Sequence, residues 1–510
     1  EELMMRFAVS EQKSDGFRHN VTLNRDTNAR DEFSARLRLT WNPAPAWRWD
    51  AAALFSDVDN GFDEFALDNN GRLTYSDQPG RDEQRSKAVS LRGTFTGNPA
   101  VRLTTVTSAT WVKSLYSYDD DWTAASYAGF SELHRDRAVF NEELRLDSAL
   151  AQHALGWIDR WTLGAYYSRT NETSRYTDQD PYDVRGLHTD YKAVNAAFFG
   201  QIAHDFTAKT RLLVGLRTER IDVEGRGIRS RYRKTSGSSD PAIMFVPSFD
   251  DTLFGGKVTL EHDLGASQIG FVSVTRGYKA GGINVDARIS PPDDPLTYNT
   301  EDLWNYEAGV RGSWFEHRLI GEFTVFQLQR RHTQVRDSAG FGGTYRFFTA
   351  NANNASVHGL EASASYAVTR EWSLHATLAQ LGSSLDSFVL TNGNVGGGRR
   401  LANTPRYGYT LGARYHGASG FFGSVEWIGR ASQFDSNNQN EARRAFSVVN
   451  ASVGYAWQAW TLTVWGHNLG NEQYDKRVFF FGNEDPDYIE TRYEDRADPR
   501  QIGVTASYRF

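Results

Sequence analysis

Strict alternation of apolar and polar residues is the feature that most constrains the fold of this chain. The final ten residues read QIGVTASYRF. Their apolar side chains, from Ile502 to Phe510, share one face, and their polar side chains, from Gln501 to Arg509, share the other. A period of two is typical of a β-strand with two different faces. Such a strand fits a soluble sandwich, whose apolar face meets a core, or an outer-membrane barrel, whose apolar face meets lipid.

The same alternation recurs along the chain and predicts about twenty β-strands, many of them longer than the usual length of about five or six residues. No helical periodicity of any length is present. The predicted strands fall at 3–13, 31–41, 48–58, 84–96, 101–116, 134–147, 160–171, 191–205, 209–224, 251–263, 267–278, 301–313, 318–330, 354–367, 371–383, 404–416, 420–430, 445–456, 460–468 and 501–510.

The connections between these strands alternate in length. Short ones lie at 42–47, 97–100, 264–266, 314–317, 368–370, 417–419 and 457–459. Long polar ones lie at 14–30, 59–83, 117–133, 172–190, 225–250, 279–300, 331–353, 384–403, 431–444 and 469–500. Outer-membrane barrels have short periplasmic turns and long extracellular loops, whereas a propeller requires a repeat of about 40–45 residues, which this sequence lacks. The sequence therefore predicts an all-β fold, one large antiparallel transmembrane barrel.

Tryptophan is concentrated at the short connections, which supports this fold. Aromatic residues form girdles at the membrane interfaces of such barrels. A buried core would instead place tryptophan in the middle of strands. The residues that predict one girdle are Trp41, Trp47, Trp157, Trp161, Trp314, Trp372, Trp457 and Trp460.

Composition excludes several classes of protein. The net charge of -7 disfavours nucleic-acid binding as a main role. No cysteine is present, so a disulfide framework and a thiolate metal site are excluded. The mean hydropathy is -0.56 and no apolar run approaches 18 residues, which argues against a transmembrane helix but not against a barrel, in which alternate residues face lipid.

Catalytic motifs are absent. The sequence has no G-x-S-x-G, H-E-x-x-H or P-loop pattern, and its 12 histidines are scattered. His188 and Asp190 are neighbours in one predicted loop and would be the candidates for a surface hydrolase, which is the weakest alternative. We predict no enzyme activity and no cofactor.

Five segments, in order, resemble the motifs of TonB-dependent outer-membrane receptors. They are TRGYKAGGIN (Thr275–Asn284), EDLWNYEAGVRG (Glu301–Gly312), NNASVHGLE (Asn353–Glu361), NTPRY (Asn403–Tyr407) and HNLGNEQYD (His467–Asp475). Two further segments, Leu23–Glu32 and Ser76–Gly80, resemble an iron–siderophore receptor subgroup. The closing Tyr508 and Phe510 resemble the family's terminal assembly signal, which the barrel-assembly machinery reads.

This resemblance implies the import of a scarce ligand, most often a ferric siderophore, with energy from the TonB–ExbB–ExbD complex. It also implies contact with outer-membrane lipid and lipopolysaccharide. Residues 1–510 correspond to the C-terminal barrel domain, with about twenty strands here and 22 expected in the complete protein. The N-terminal plug, the TonB-binding segment and the first two strands are expected upstream of Glu1. The alternatives are uptake of cobalamin, a saccharide or an aromatic compound, or a passive pore or assembly scaffold.

Aromatic and basic residues in the loops are the candidates for ligand binding. Aromatic rings suit a flat or catecholate ligand, and arginine binds anions through paired hydrogen bonds. For each arginine, pairing with wall carboxylates or with lipopolysaccharide phosphate is the alternative. The candidates are Tyr116, Tyr118, Trp122, Phe480, Arg330, Arg331, Arg399 and Arg400.

Three consecutive carboxylates, Asp119, Asp120 and Asp121, suggest a calcium site because Ca²⁺ prefers oxygen ligands. The alternative is a solvated loop tip.

Overall fold

The structure is a computed structural model of the chain. It describes residues 2–124, 129–148, 156–285, 289, 294–339, 346–391, 393–484, 487 and 489–510. Twenty long strands form the wall: Leu3–Ser14 (β1), Arg30–Ala44 (β2), Trp47–Phe62 (β3), Gly80–Phe95 (β4), Val101–Asp119 (β5), Phe130–Ser148 (β6), Arg160–Gln179 (β7), Asp183–Thr207 (β8), Thr210–Arg233 (β9), Ser248–Asp263 (β10), Gln268–Lys279 (β11), Glu301–Trp314 (β12), Leu319–Arg331 (β13), Ala355–Ala367 (β14), Trp372–Leu385 (β15), Tyr407–His416 (β16), Phe421–Arg430 (β17), Phe446–Trp457 (β18), Trp460–His467 (β19) and Gln501–Tyr508 (β20).

Each long strand pairs antiparallel with the next one along the chain. The series runs from β1–β2, where Leu3 lies opposite Trp41, to β19–β20, where Trp460 lies opposite Tyr508. All the long strands belong to one sheet. The twenty predicted strands are confirmed. In the described part of the chain, no helix is long and apolar enough to cross a membrane.

The two faces of the wall differ as the alternation predicts. Val258, Val274 and Tyr306 lie side by side on β10, β11 and β12, and each is about 40–50% exposed on the outer face. One residue further along, Thr259 and Ser273 lie opposite each other on the inner face, and their hydroxyl oxygens are 3.2 Å apart. The apolar outer face therefore meets lipid, and the polar inner face lines the lumen.

Aromatic side chains cluster at the short turns, as predicted. Trp41, Trp157 and Trp372 are 46–55% exposed. The Trp460 ring lies 4.8 Å from that of Tyr508. Amphipathic rings at this level match the membrane–water interface.

Three strands exceed their predicted lengths by eight or more residues. β7, β8 and β9 have 20, 25 and 24 residues, so most of the predicted loop at 172–190 and the first part of the loop at 225–250 are strand. The prediction of irregular loops there is wrong because these strands continue beyond the membrane. There the outer face meets water, and apolar residues no longer mark it.

The long loops also contain short strands. One three-stranded sheet consists of Arg18–Asn20, Arg25–Thr27 and Leu73–Thr74, and Ser238–Ser239 and Ile243–Phe245 add to β9. Five hairpins complete the set: Gly282–Ile283 with Thr297–Tyr298, Gln334–Ala339 with Arg346–Asn351, Phe388–Val389 with Val395–Gly396, Gln433–Phe434 with Ala442–Arg443, and Asp475–Phe481 with Thr491–Arg496.

Candidate ligand-binding site

A buried charge network joins loops from the two ends of the chain. Arg18 follows β1, and its Nη2 atom lies 3.0 Å from Oδ1 of Asp495, which precedes β20. Lys476 lies 3.3 Å from Asp495 and 3.5 Å from Glu64. Burial, followed by the charge of Glu64, raises the pKa of Asp495 to about 6. Sequence reasoning missed this network because its members lie in loops without periodicity.

An aromatic cluster lies beside this network. The Trp122 ring is 4.6 Å from Tyr493 and 5.4 Å from Phe65, and Phe65 is 4.7 Å from Phe479. Trp122 is 7% exposed and Tyr493 is fully buried. The cluster (Phe65, Trp122, Phe479 and Tyr493) thus packs three loops together, and Trp122 offers no free face to a ligand in this conformation.

The other predicted aromatic residues lie near the cluster. The ring of Tyr116 is 5.0 Å from Phe62 and 5.6 Å from Tyr118. Phe480 is half-buried and lies opposite Arg492 in the last hairpin. The cluster itself contains the neighbouring Phe479. Ligand contact by Tyr116, Tyr118 and Phe480 stays a prediction.

The three consecutive aspartates separate into two groups. Asp120 accepts a hydrogen bond from Ser131 at 2.8 Å. Asp119 and Asp121 are buried together at the end of β5. Burial and the charge of Asp121 raise the pKa of Asp119 to about 7. Within the described ranges, no group of three or more His, Asp or Glu side chains is arranged to hold a metal ion. A calcium ion at the three aspartates stays a prediction.

Arg330 forms a buried ion pair with Glu301. Its Nε atom lies 2.5 Å from Oε1 and its Nη2 atom 2.9 Å from Oε2 of Glu301, which is 2% exposed. The backbone N–H of Gln334 also donates to Glu301 at 2.7 Å. This guanidinium therefore links β12 to β13. Arg330 pairs with a carboxylate of the barrel wall, which is the alternative to ligand binding given for each arginine. Arg331 is exposed at the end of β13.

Arg399 and Arg400 converge on one aromatic ring. The guanidinium carbons lie 3.9 Å and 5.3 Å from the centre of Phe434, in the loop between β17 and β18. Arg399 donates to Asn440 at 3.0 Å and to the carbonyl of Ser436 at 2.9 Å. Burial and the charge of Arg400 lower the pKa of Arg399.

Arg400 differs from its neighbour in one respect. Its Nη1 atom is buried and has no hydrogen-bond partner among the described residues. A buried donor without a partner is costly. Arg399 therefore fixes the loop, and ligand binding by Arg399 and Arg400 stays a prediction. Sequence reasoning found both arginines but missed Phe434, which lies 34 residues beyond Arg400 and shows no periodic signal.

Two residues of the motif segment Thr275–Asn284, and the other residues named in the sequence analysis, have structural contacts. Arg276 pairs with Asp302 at 2.7 Å, and Tyr278 donates to Glu219 at 2.8 Å. His188 and Asp190 are 3.8 Å apart on one face of β8. Phe510 is fully exposed, and its ring lies 5.3 Å from Tyr508.

The chain belongs to the TonB-dependent receptors, and its fold places it as an integral β-barrel of the outer membrane. Residues 12–469 match the family model described as TonB dependent receptor-like, beta-barrel. Membership implies small-molecule binding and TonB-coupled energy transduction. It also confirms that the protein is not an enzyme, since proteins of this family are transporters.

Solved structures share the fold at low sequence identity. The ferric yersiniabactin uptake receptor FyuA from Yersinia pestis has a TM-score of 0.81 and 15% identity over 100% of this chain and 75% of its own. The siderophore receptor PiuA from Acinetobacter baumannii has a TM-score of 0.77 and 13% identity over 99% and 77%. The copper transporter OprC has a TM-score of 0.73 and 14% identity over 99% and 76%. At these identities the likeness shows the fold alone.

Proposed function

We propose that this protein imports a small anionic ligand, with a ferric siderophore as the favoured class, across the outer membrane. The observation that carries the proposal is the pair Arg399 and Arg400 stacked against Phe434. Burial and then the charge of Arg400 lower the pKa of Arg399, and no carboxylate is among the groups that shift it. Half-buried cations that the protein leaves poorly compensated are suited to an anionic ligand.

The chemistry of the site matches that ligand class. A guanidinium donates two parallel hydrogen bonds to a carboxylate or catecholate, and an aromatic ring offers a flat face. FyuA is named as a ferric yersiniabactin uptake receptor and PiuA as a siderophore receptor. OprC is named as a copper transporter, so the cargo class rests on Arg400 and not on the fold.

Active import requires parts that we assign by family resemblance. We infer that residues 1–510 are the C-terminal barrel domain and that an upstream plug contacts the TonB–ExbB–ExbD complex. We further infer that the barrel-assembly machinery reads the terminal Tyr508 and Phe510.

Binding to the purified protein tests the proposal. A panel of ferric catecholates, ferric hydroxamates, cobalamin and neutral oligosaccharides is titrated against the wild type and the Arg400→Gln variant. We expect one ferric siderophore class to bind and Arg400→Gln to weaken it by about tenfold or more, since a charge-assisted hydrogen bond contributes about 1.5–3 kcal/mol.

Arg370→Gln is the matched control, because Arg370 lies in the short turn between β14 and β15 at the opposite end of the barrel. This variant removes the same charge, and we expect it to leave the affinity for the siderophore unchanged. Binding of a neutral ligand alone, or equal affinity in Arg400→Gln, overturns the proposal.

A further inference from the structure

The inner wall of β1–β4 carries an excess of positive charge. Phe7, Trp41 and Leu91 are exposed on the outer face of this part of the barrel, so the even-numbered side chains of these strands face the lumen. The inner face there holds five arginines and one carboxylate, a formal net charge of +4. These six residues, at the even positions of 4–10, 34–40, 48–56 and 86–94, are Arg6, Arg36, Arg38, Arg48, Arg92 and Asp50.

Asp50 compensates only one of these arginines. Arg48 donates to both of its carboxylate oxygens at 2.9 Å, and the Thr40 hydroxyl donates to Oδ1 at 2.6 Å. Among the described residues, no carboxylate lies within 4.0 Å of the other four guanidinium groups, and all four side chains are exposed. The uncompensated arginines of the inner wall are therefore Arg6, Arg36, Arg38 and Arg92.

The strand register brings these four side chains together. Arg6 lies directly opposite Arg38 in the pairing of β1 with β2, and Arg36 is the next inward-facing residue on β2. Arg92 lies opposite Asp50 in the pairing of β3 with β4. Neighbouring strands are about 4.8 Å apart, so the four arginines share a patch roughly 14 Å across. Like charges directly opposite each other destabilise a sheet, and an anion between them relieves the repulsion.

Four arginines on other parts of the inner wall each pair with a carboxylate. Arg145 lies 3.5 Å from Asp147, Arg211 2.7 Å from Asp263, Arg311 2.6 Å from Glu261 and Arg414 3.5 Å from Glu426. The shortage of carboxylates is thus a property of β1–β4 and not of the whole lumen.

We propose that the inner wall of β1–β4 is a second anion-binding site, which takes a small molecule with several acidic groups. Guanidinium groups bind carboxylate and phosphate through paired hydrogen bonds, and a patch of this width contacts more than one acidic group at once. Bilayer lipid does not reach the lumen, so the occupant is a soluble anion.

The site lies in the half of the barrel nearer the short turns. Arg48 is the second residue of β3, directly after one such turn, whereas Arg400 lies in a long loop. The proposal rests on the proposed function only for the class of ligand, an anion that contacts Arg400 first and this patch afterwards. Binding of a polyanion to the patch is a separate property and can be measured without a siderophore.

Titration of the purified protein with a fluorescent polyanion tests this proposal. The probe is pyrenetetrasulfonate, which carries several sulfonate groups and no iron, and its anisotropy is measured in an uncharged detergent. All titrations use the Arg400→Gln background, so that a failure of the proposed function does not change the result. We expect saturable binding that pyrophosphate displaces and that added salt weakens, because ions screen exposed charges.

Two pairs of substitutions locate the site. Arg6→Gln combined with Arg38→Gln removes the two opposing cations, and we expect the affinity for the probe to fall by about tenfold or more, since hydrogen bonds between charged groups are strong. Arg211→Gln combined with Arg414→Gln is the matched control. This control removes the same charge from paired positions on the inner wall, and we expect it to keep the affinity of its parent. Heat-modifiable gel mobility verifies that each variant is folded.

Three results overturn the proposal. The first is the absence of saturable probe binding by the folded protein, which is the result expected if an acidic polypeptide surface covers the four arginines. The second is an unchanged affinity when Arg6→Gln and Arg38→Gln are combined. The third is an equal loss of affinity in the two double variants, because the lumen as a whole would then attract the probe.

Discussion

The guanidinium of Arg18 and the carboxylate of Asp495 lie 3.0 Å apart, although 477 residues separate them in the sequence. Each is 6% exposed. The first residue follows β1 and the second precedes β20, so this ion pair joins the extracellular loops at the two ends of the strand series. Asn69 strengthens the junction, since its side chain accepts from the N–H of Glu494 at 2.9 Å and donates to the carbonyl of Arg492 at 3.0 Å.

Replacing Arg18 with alanine should open this junction. The variant leaves Asp495 buried beside Glu64 with only Lys476 as a close cation. Removing one partner of a buried ion pair costs about 3–5 kcal/mol, and we expect the lower end, about 3 kcal/mol, because Lys476 remains. Hydrogen exchange of the amides of 491–496 measures the loss. Lys13→Ala, which removes an exposed pair with Asp31, should change nothing there. Equal protection in wild type and Arg18→Ala would refute the prediction.

The stability of the same junction should fall as pH rises from about 4 to 6. The pKa of Asp495 is raised to about 6 in the folded protein, against roughly 3.9 in an unfolded chain. In this window the folded state holds a proton that the unfolded state releases, so rising pH favours opening; above pH 6 the effect is complete. Hydrogen exchange, normalised to intrinsic rates, measures this dependence, and Asp495→Asn should remove it. Stability that rises with pH in the wild type, relative to Asp495→Asn, would contradict the assignment.

Truncating Trp122 should release the extracellular loops. Phe or Trp to Ala at a buried position typically costs about 3–5 kcal/mol, and Trp122 contacts Phe65, Phe479 and Tyr493. We expect Trp122→Ala to speed cleavage of the loops by protease added to intact cells. Trp41→Ala, on the lipid-facing girdle, is the control and should leave cleavage unchanged. Identical cleavage rates in the two variants would show that the cluster does not hold the loops.

Removing the terminal ring should impair assembly without weakening the finished barrel. Phe510 is fully exposed, so its loss removes little packing. We expect Phe510→Ala to reduce the folded fraction in the outer membrane several-fold, and the protein that does fold should unfold like the wild type. Arg509→Ala is the control. If the folded fraction of Phe510→Ala equals that of the wild type, Phe510 is not an assembly signal.

The barrel wall could be predicted from the sequence because lipid imposes a period of two on it. In β20, each of Ile502, Val504 and Tyr508 meets the membrane, so each must be apolar, and the alternation is visible. The ends of β8 and β9 could not be predicted because no such rule applies beyond the membrane.

The loop contacts were predictable only in part. The residue types at 119–122 and 399–400 identified groups with binding chemistry, but their partners lie far away in the sequence. Trp122 packs on Tyr493, and Arg400 approaches Phe434. Such contacts depend on loop conformation, which leaves no periodic pattern. For the same reason, the sequence did not show that Asp120 bonds to Ser131 while Asp119 and Asp121 are buried together.

Uptake of radiolabelled ferric siderophores by cells with and without this protein tests the central claim most directly. The strain that carries the protein should accumulate at least one ferric siderophore, and dissipation of the proton gradient or loss of TonB should abolish the uptake. Arg400→Gln should reduce it at low ligand concentration. Equal uptake of every siderophore with and without the protein, together with no binding by the purified receptor, would contradict the account.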